Sequence, residues 1–161
     1  SAFDVATRGG KNSMIRNMEN SLATWAAKVR LIDPVFRLCL SLIFIIGGLG
    51  HFLAHEYMLG RMALSPWKDH VALIGDASIL LWLSGLVFIG AGTSLALGWM
   101  TRLSCTALFL TLVPITLAIH IAPGHTGPLL KNIAILGALA FVFVRGPGSH
   151  SMDTALGRAA S

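Results

Sequence analysis

Apolar residues run in four long stretches, each separated from the next by a short polar or glycine- and proline-rich break. Windows of about 20 such residues can cross a hydrocarbon core of roughly 30 Å, and they fall at residues 33–54, 76–97, 101–122 and 128–145. Asp33 can cap the first, with Pro34 at the first helical position, where a missing amide costs nothing. Asp76 caps the second, ASILLWLSGLVFIGAGTSLAL, and Gly98 stops it. The third, RLSCTALFLTLVPITLAIHIA, carries Pro114, whose ring and absent donor predict a kink, and ends at Pro123 and Gly124. The fourth, the shortest, opens at Pro128 and is broken by Gly146, Pro147 and Gly148.

Two further segments are helical by pattern. In residues 13–30, Met14, Met18, Leu22, Trp25 and Val29 share one face while Arg16, Asn17, Glu19 and Lys28 lie elsewhere, which predicts a helix in the interface plane. It lacks the unbroken apolar centre of a signal peptide. In SPWKDHVALIG, Ser65 as cap, Pro66 at the first position and Gly75 as stop predict a short helix on the membrane surface. The expected fold is all-α, an integral membrane four-helix bundle with an N-terminal interfacial amphipathic helix. Its parts are an N-terminal segment 1–32, a transmembrane domain 33–146 and a C-terminal tail 147–161.

Composition supports lipid as the solvent. The chain is 55% hydrophobic and 12% charged, whereas ordinary soluble domains are about a quarter charged. Four spans put both termini on one side, together with the turn between spans two and three. That side holds Arg8, Lys11, Arg16, Lys28, Arg30, Arg37, Arg102, Arg145 and Arg158; the other holds Arg61, Lys68 and Lys131. Positive charge is retained in the cytoplasm, so both ends are expected there. The net charge of +5 reflects this asymmetry and attraction to phospholipid; no nucleic-acid-binding pattern is present. Arg37, Arg102 and Trp25 are assigned to the lipid interface.

The candidate chemistry lies at the opposite rim. GGLGHFLAHEY ends a greasy span in His51, His55 and Glu56, and His51, His120, Lys131 and Asn132 share one depth. Polar groups at matching depth in lipid face a partner or a cavity, and donors at the edge of an apolar pocket suit the carbonyls of a quinone. His51, His120, Lys131 and Asn132 are therefore the expected cofactor-binding residues. The plainer alternative is that His55, Glu56 and Lys131 reach interfacial water and that each histidine bonds a backbone carbonyl. His51 and His55, four residues apart on one face, form a weaker metal-ligating alternative without supporting ligands; neither metal nor haem is expected. No complete nucleophile, metal or cofactor motif marks a catalytic residue.

Cys39 and Cys105 have no CxxC partner and read as small buried hydrophobes. Gly47, Gly48, Gly85, Gly92 and Gly98 read as helix-packing positions, not as a nucleotide loop.

The order of FRLCLSLIFIIGGLGHF, a glycine-rich second span closing in LGWMTR, the His120 end of span three, PLLKNIAILGALAF and RGPGSHSMD resembles the DoxX-like family of small four-span bacterial membrane proteins, over residues 34–153. The resemblance implies a four-helix subunit of the bacterial cytoplasmic membrane, related to a thiosulfate:quinone oxidoreductase. It highlights Arg37, His51, Gly92, Gly98, Arg102, Lys131, Asn132 and Asp153. The resemblance implies a glutamate near the middle of span two, about where this chain has Phe88, a departure that argues against a proton-carrying or charge-pairing role for that helix.

Two functions follow as expectations. One is an accessory subunit of a respiratory or redox complex, not catalytic by itself. It would bind quinone on the periplasmic side and dock a periplasmic redox partner through residues 55–76. The other is a structural subunit packing on larger membrane proteins, with lipid as its only ligand.

Overall fold

A computed structural model describes residues 2–29, 31–117, 126–148 and 150–157, with side chains from residue 13 onward. The chain divides into two compact units, Ser1–Ile32 and Asp33–Ser161. Among the described residues there are helices and turns and no strand.

The first unit is built on α1, Ala2–Ala26, which begins well before the amphipathic stretch that predicted it. Met14, Met18, Leu22 and Trp25 are all more than half exposed along this helix.

In the second unit the helices are α2 (Ile32–Leu53), α3 (His55–Ala63), α4 (Lys68–Ile74), α5 (Ala77–Leu97), α6 (Thr101–Ile115), α7 (Thr126–Arg145) and the single turn α8 (Met152–Ala155). Three of them, α2, α5 and α7, are long and apolar enough to cross a membrane, each with mean hydropathy 1.9. α6 is a shorter apolar helix of 15 residues. Just beyond Pro114 its backbone widens to a looser turn at residues 116–117, a usual accommodation where a proline removes one rung of the ladder. The remainder of the expected third span, including His120, lies outside the described residues.

All four apolar helices contribute to one core: Leu40 and Phe44 from α2, Phe88 and Leu95 from α5, Cys105, Leu108 and Leu112 from α6, and Leu139 and Val142 from α7. Lipid removes the hydrophobic drive between helices, so close van der Waals packing must hold them. Phe44 meets Phe88 edge-on at 5.2 Å, and Phe36 meets Phe141 at 6.0 Å, joining α2 to α5 and to α7. A Cβ on Gly48 would come within 2.9 Å of the Gly85 carbonyl oxygen, and one on Gly92 within 3.3 Å of the Phe44 Cβ. These glycines are the close approach of α2 to α5. Gly47 is different: open space surrounds its Cβ position, so it sets no helix contact.

Local chemistry explains the ends. Asp76 Oδ1 accepts from the amides of Ser78 and Ile79, capping α5, and Gly98 at φ 65° stops it. Asp33, expected to cap the first span, lies inside its first turn instead, and its carboxylate receives Arg145 Nε at 3.0 Å. Beyond the first span Ala54, at φ −119°, breaks the ladder and α3 starts anew. In the following segment Ser65 Oγ accepts from the Trp67 amide, but α4 begins only at Lys68, later than the Ser65–Pro66 signal predicted. Cys105 is buried as expected, whereas Cys39 is exposed on the outer face of α2.

At the Arg37 end the tail closes over the bundle. Arg37, assigned above to the lipid interface, is only 2% exposed; its Nη1 donates to the Pro147 carbonyl and its Nη2 to that of His150. Two carbonyl acceptors on the returning chain make burial of the guanidinium tolerable. α6 has no side-chain cap of its own, because Met100 occupies its start at φ 47°. Asp153 supplies one from 52 and 53 residues away: its carboxylate accepts from the amides of Met100 and Thr101 and from the Thr101 hydroxyl, each at 2.9 Å. A negative charge at a helix N-terminus is favourable for the same reason that orphan amides need acceptors. Asp153→Ala is expected to lower the unfolding free energy in detergent by roughly 2–3 kcal/mol, since three charge-assisted bonds lose their acceptor; an unchanged unfolding curve would show that the tail does not brace α6.

Candidate functional site

At the His51 end, a cavity of about 790 Å³ opens among α2, α5, α6 and α7, with α3 and α4 completing its wall. Ile43, Phe44, Leu80, Val87, Leu112 and Ile135 give it an apolar lining. Three of the four residues expected to share a depth, His51, Lys131 and Asn132, line it together. The fourth, His120, lies outside the described residues.

His51 reaches this position because α2 and α5 cross so closely. Its Nδ1 sits 2.8 Å from Ser84 Oγ and 3.3 Å from the Leu81 carbonyl oxygen, and the ring is 5.3 Å from that of Phe88. The side chain is 7% exposed. Phe88 is buried and packs on both Phe44 and His51. On α7, Asn132 is 4% exposed and donates through Nδ2 to Thr116 Oγ1 at 3.0 Å, while Thr116 donates to the Leu112 carbonyl at 2.7 Å. Lys131, its neighbour, is exposed.

His55 belongs to a separate arrangement. Its Nε2 pairs with Ser78 Oγ at 2.8 Å and its ring lies against Trp82 at 4.8 Å. The two histidines are thus turned toward different serines of α5, not toward a common ion. Among the described residues no group of three or more His, Cys, Asp or Glu side chains is placed to hold a metal.

Sequence reasoning passed over the hydroxyls that orient these groups. Ser78, Leu81, Ser84, Gly85, Phe88, Gly92 and Leu95 recur at three- and four-residue spacing, the face that α5 turns to the bundle, and on that face a serine must find a partner. Tyr57 and Arg61 of α3, Trp67 just before α4 and His70 within it also line the cavity; their periodicity was too short to announce a wall. The burial difference ranks the serines. Ser84→Ala, which strips a buried imidazole of its shorter bond, is expected to lower stability by about 1–2 kcal/mol. Ser78→Ala, beside a half-buried imidazole that water can reach, is expected to cost less than about 0.5 kcal/mol. Unfolding curves of the two variants in the same detergent check the order, and equal losses contradict it.

No curated protein and no solved structure matches this chain. A family model does: DoxX, over residues 32–121. The matched stretch runs from the start of α2 through the whole of α6, and so contains the α2 and α5 crossing and the His51 and Ser84 pair. It spans more than half of the 161 residues, and with the apolar helices already described it establishes the chain as a multi-pass membrane protein belonging to the DoxX family.

Proposed function

We propose that the protein is an accessory subunit of a respiratory or other redox assembly in a bacterial cytoplasmic membrane, without catalysis of its own. Its cavity holds a quinone on the periplasmic side. The single observation that carries the reading is the convergence of His51, Asn132 and Lys131 on one largely apolar space of about 790 Å³. That size falls in the range of sites for cofactor-sized ligands, which are mostly apolar with a few placed polar groups. A ring with its oxygens near His51 and Asn132 could leave its isoprenoid tail along Leu, Ile and Val side chains, and the tail has lipid next to it. His120 belongs to the same proposed site by its depth in the sequence.

The charge asymmetry supports an orientation with the Arg37 end and both termini cytoplasmic. In that orientation α3 and α4 face the periplasm, where they offer Tyr57, Arg61 and His70 to a redox partner. Other subunits of the assembly and phospholipid would cover the rest of the molecule.

A purely structural role has one observation in its favour. Gly90 of α5 and Gly137 of α7 are exposed with open space at their Cβ positions, room for a foreign helix to approach closely. The cavity is unexplained by that role, and for this reason the quinone reading is preferred.

The test is the quinone content of protein purified in mild detergent from its native membrane. Replacing both His51 and Asn132 with alanine is expected to reduce quinone per protein at least about tenfold, equivalent to about 1.4 kcal/mol of binding. Undiminished quinone in a variant that remains folded would remove the site.

A further inference from the structure

The hydrogen bonds at His51 assign a polarity to the cavity. Ser84 Oγ lies 2.8 Å from the Leu81 carbonyl oxygen and donates its only proton there, the habit of a serine within a helix. Its oxygen is then an acceptor toward His51 Nδ1, 2.8 Å away, and the same nitrogen has the Leu81 oxygen at 3.3 Å. With two oxygens around Nδ1, one of them a carbonyl that can only accept, the pattern that satisfies both contacts puts the proton on that nitrogen. In a neutral imidazole the other nitrogen is then bare. Nε2 has no partner among the described residues and is not among their fully enclosed unsatisfied atoms, so its lone pair opens on the cavity that His51 lines.

The same reasoning orients Asn132. The Thr116 hydroxyl donates to the Leu112 carbonyl, so Thr116 Oγ1 can only accept, and the Asn132 group facing it must be the amide nitrogen. This leaves Oδ1, together with the second Nδ2 hydrogen, without a partner among the described residues. Asn132 is 4% exposed and lines the same space. Lys131, Arg61 and Trp67 line the same space as donor-only groups, and Lys131 is exposed.

We infer that the cavity recognises a ring carrying a hydroxyl, the reduced dihydroxy form of a quinone, in preference to the dione. A hydroxyl donates to His51 Nε2. A carbonyl oxygen in the same place sets acceptor against acceptor and leaves the buried imidazole nitrogen unsatisfied. This inference rests on the proposed quinone site and adds which redox form that site holds.

The experiment uses the full chain in detergent micelles under anaerobic conditions, titrated calorimetrically with a short-tailed alkylated benzoquinone and, separately, with its hydroquinone. The hydroquinone is expected to bind about tenfold or more tightly than the quinone, the cost of one unmade buried hydrogen bond. His51→Gln presents either a donor or an acceptor and is expected to bring the ratio near one, with both ligands still bound. Nitrogen-15 spectra of histidine-labelled protein give an independent reading: His51 protonated at Nδ1 and bare at Nε2, the less populated tautomer of histidine in water. Quinone binding as tightly as hydroquinone, or a proton on Nε2 in place of Nδ1, overturns the inference and leaves the quinone site standing. Binding of neither ligand overturns both.

Discussion

A Cβ on Gly48 would lie within 2.9 Å of the Gly85 carbonyl oxygen, and one on Gly85 within 3.0 Å of the His51 Cβ. The crossing of α2 and α5 therefore depends on both residues lacking a side chain, because neither backbone can yield without displacing a whole helix. Lipid offers little reward for bringing two apolar helices together, so the approach has to be won through contact area. Once it is made, His51 is carried against Ser84 and Leu81. Phe44 and Phe88 fill the turn beneath, and the space beyond is bounded on its other sides by α6 and α7. The imidazole is held in place by a contact between two glycines one turn away.

The opposite end of the bundle solves a different problem. α6 begins in a left-handed residue without a cap, and Arg37 brings a charge into the interior. The tail after Gly146 answers both, offering carbonyls to the guanidinium and the Asp153 carboxylate to the α6 amides. Gly98 and Gly148 permit this: each has a positive φ, and a Cβ on either would collide with Arg37 or Asp33 respectively. Polar bonds thus fasten the Arg37 end, where the chain returns on itself. The His51 end is left more open, around the cavity.

The spans were legible because apolar length is a property of consecutive residues, and the Asp76 cap and Gly98 stop because capping is settled within one turn. Asp33 misled for the same reason: its partner, Arg145, is 112 residues away. Arg37 read as an interfacial charge because nothing near it in sequence announces carbonyls 110 and 113 residues downstream. The glycine positions were legible as a group, but which of them meets a neighbour depends on helix rotation, and Gly47 turns toward the cavity instead. Depth along parallel spans placed His51, Lys131 and Asn132 at one level, and the three line one cavity. It carried no information on Ser84 and Thr116, whose small hydroxyls decide the hydrogen-bond polarity of that level.

The central claim is that a ligand ring sits between His51 and Asn132, inside the four-helix unit. Photolabelling the full chain in micelles with an azido-substituted short-tailed quinol, followed by peptide mass spectrometry, tests it most directly. The account predicts label on the α2 and α5 residues around His51 and Ser84 and on the start of α7 around Asn132, competed away by unlabelled quinol. Label spread over the outward faces of the helices and indifferent to competitor would contradict it.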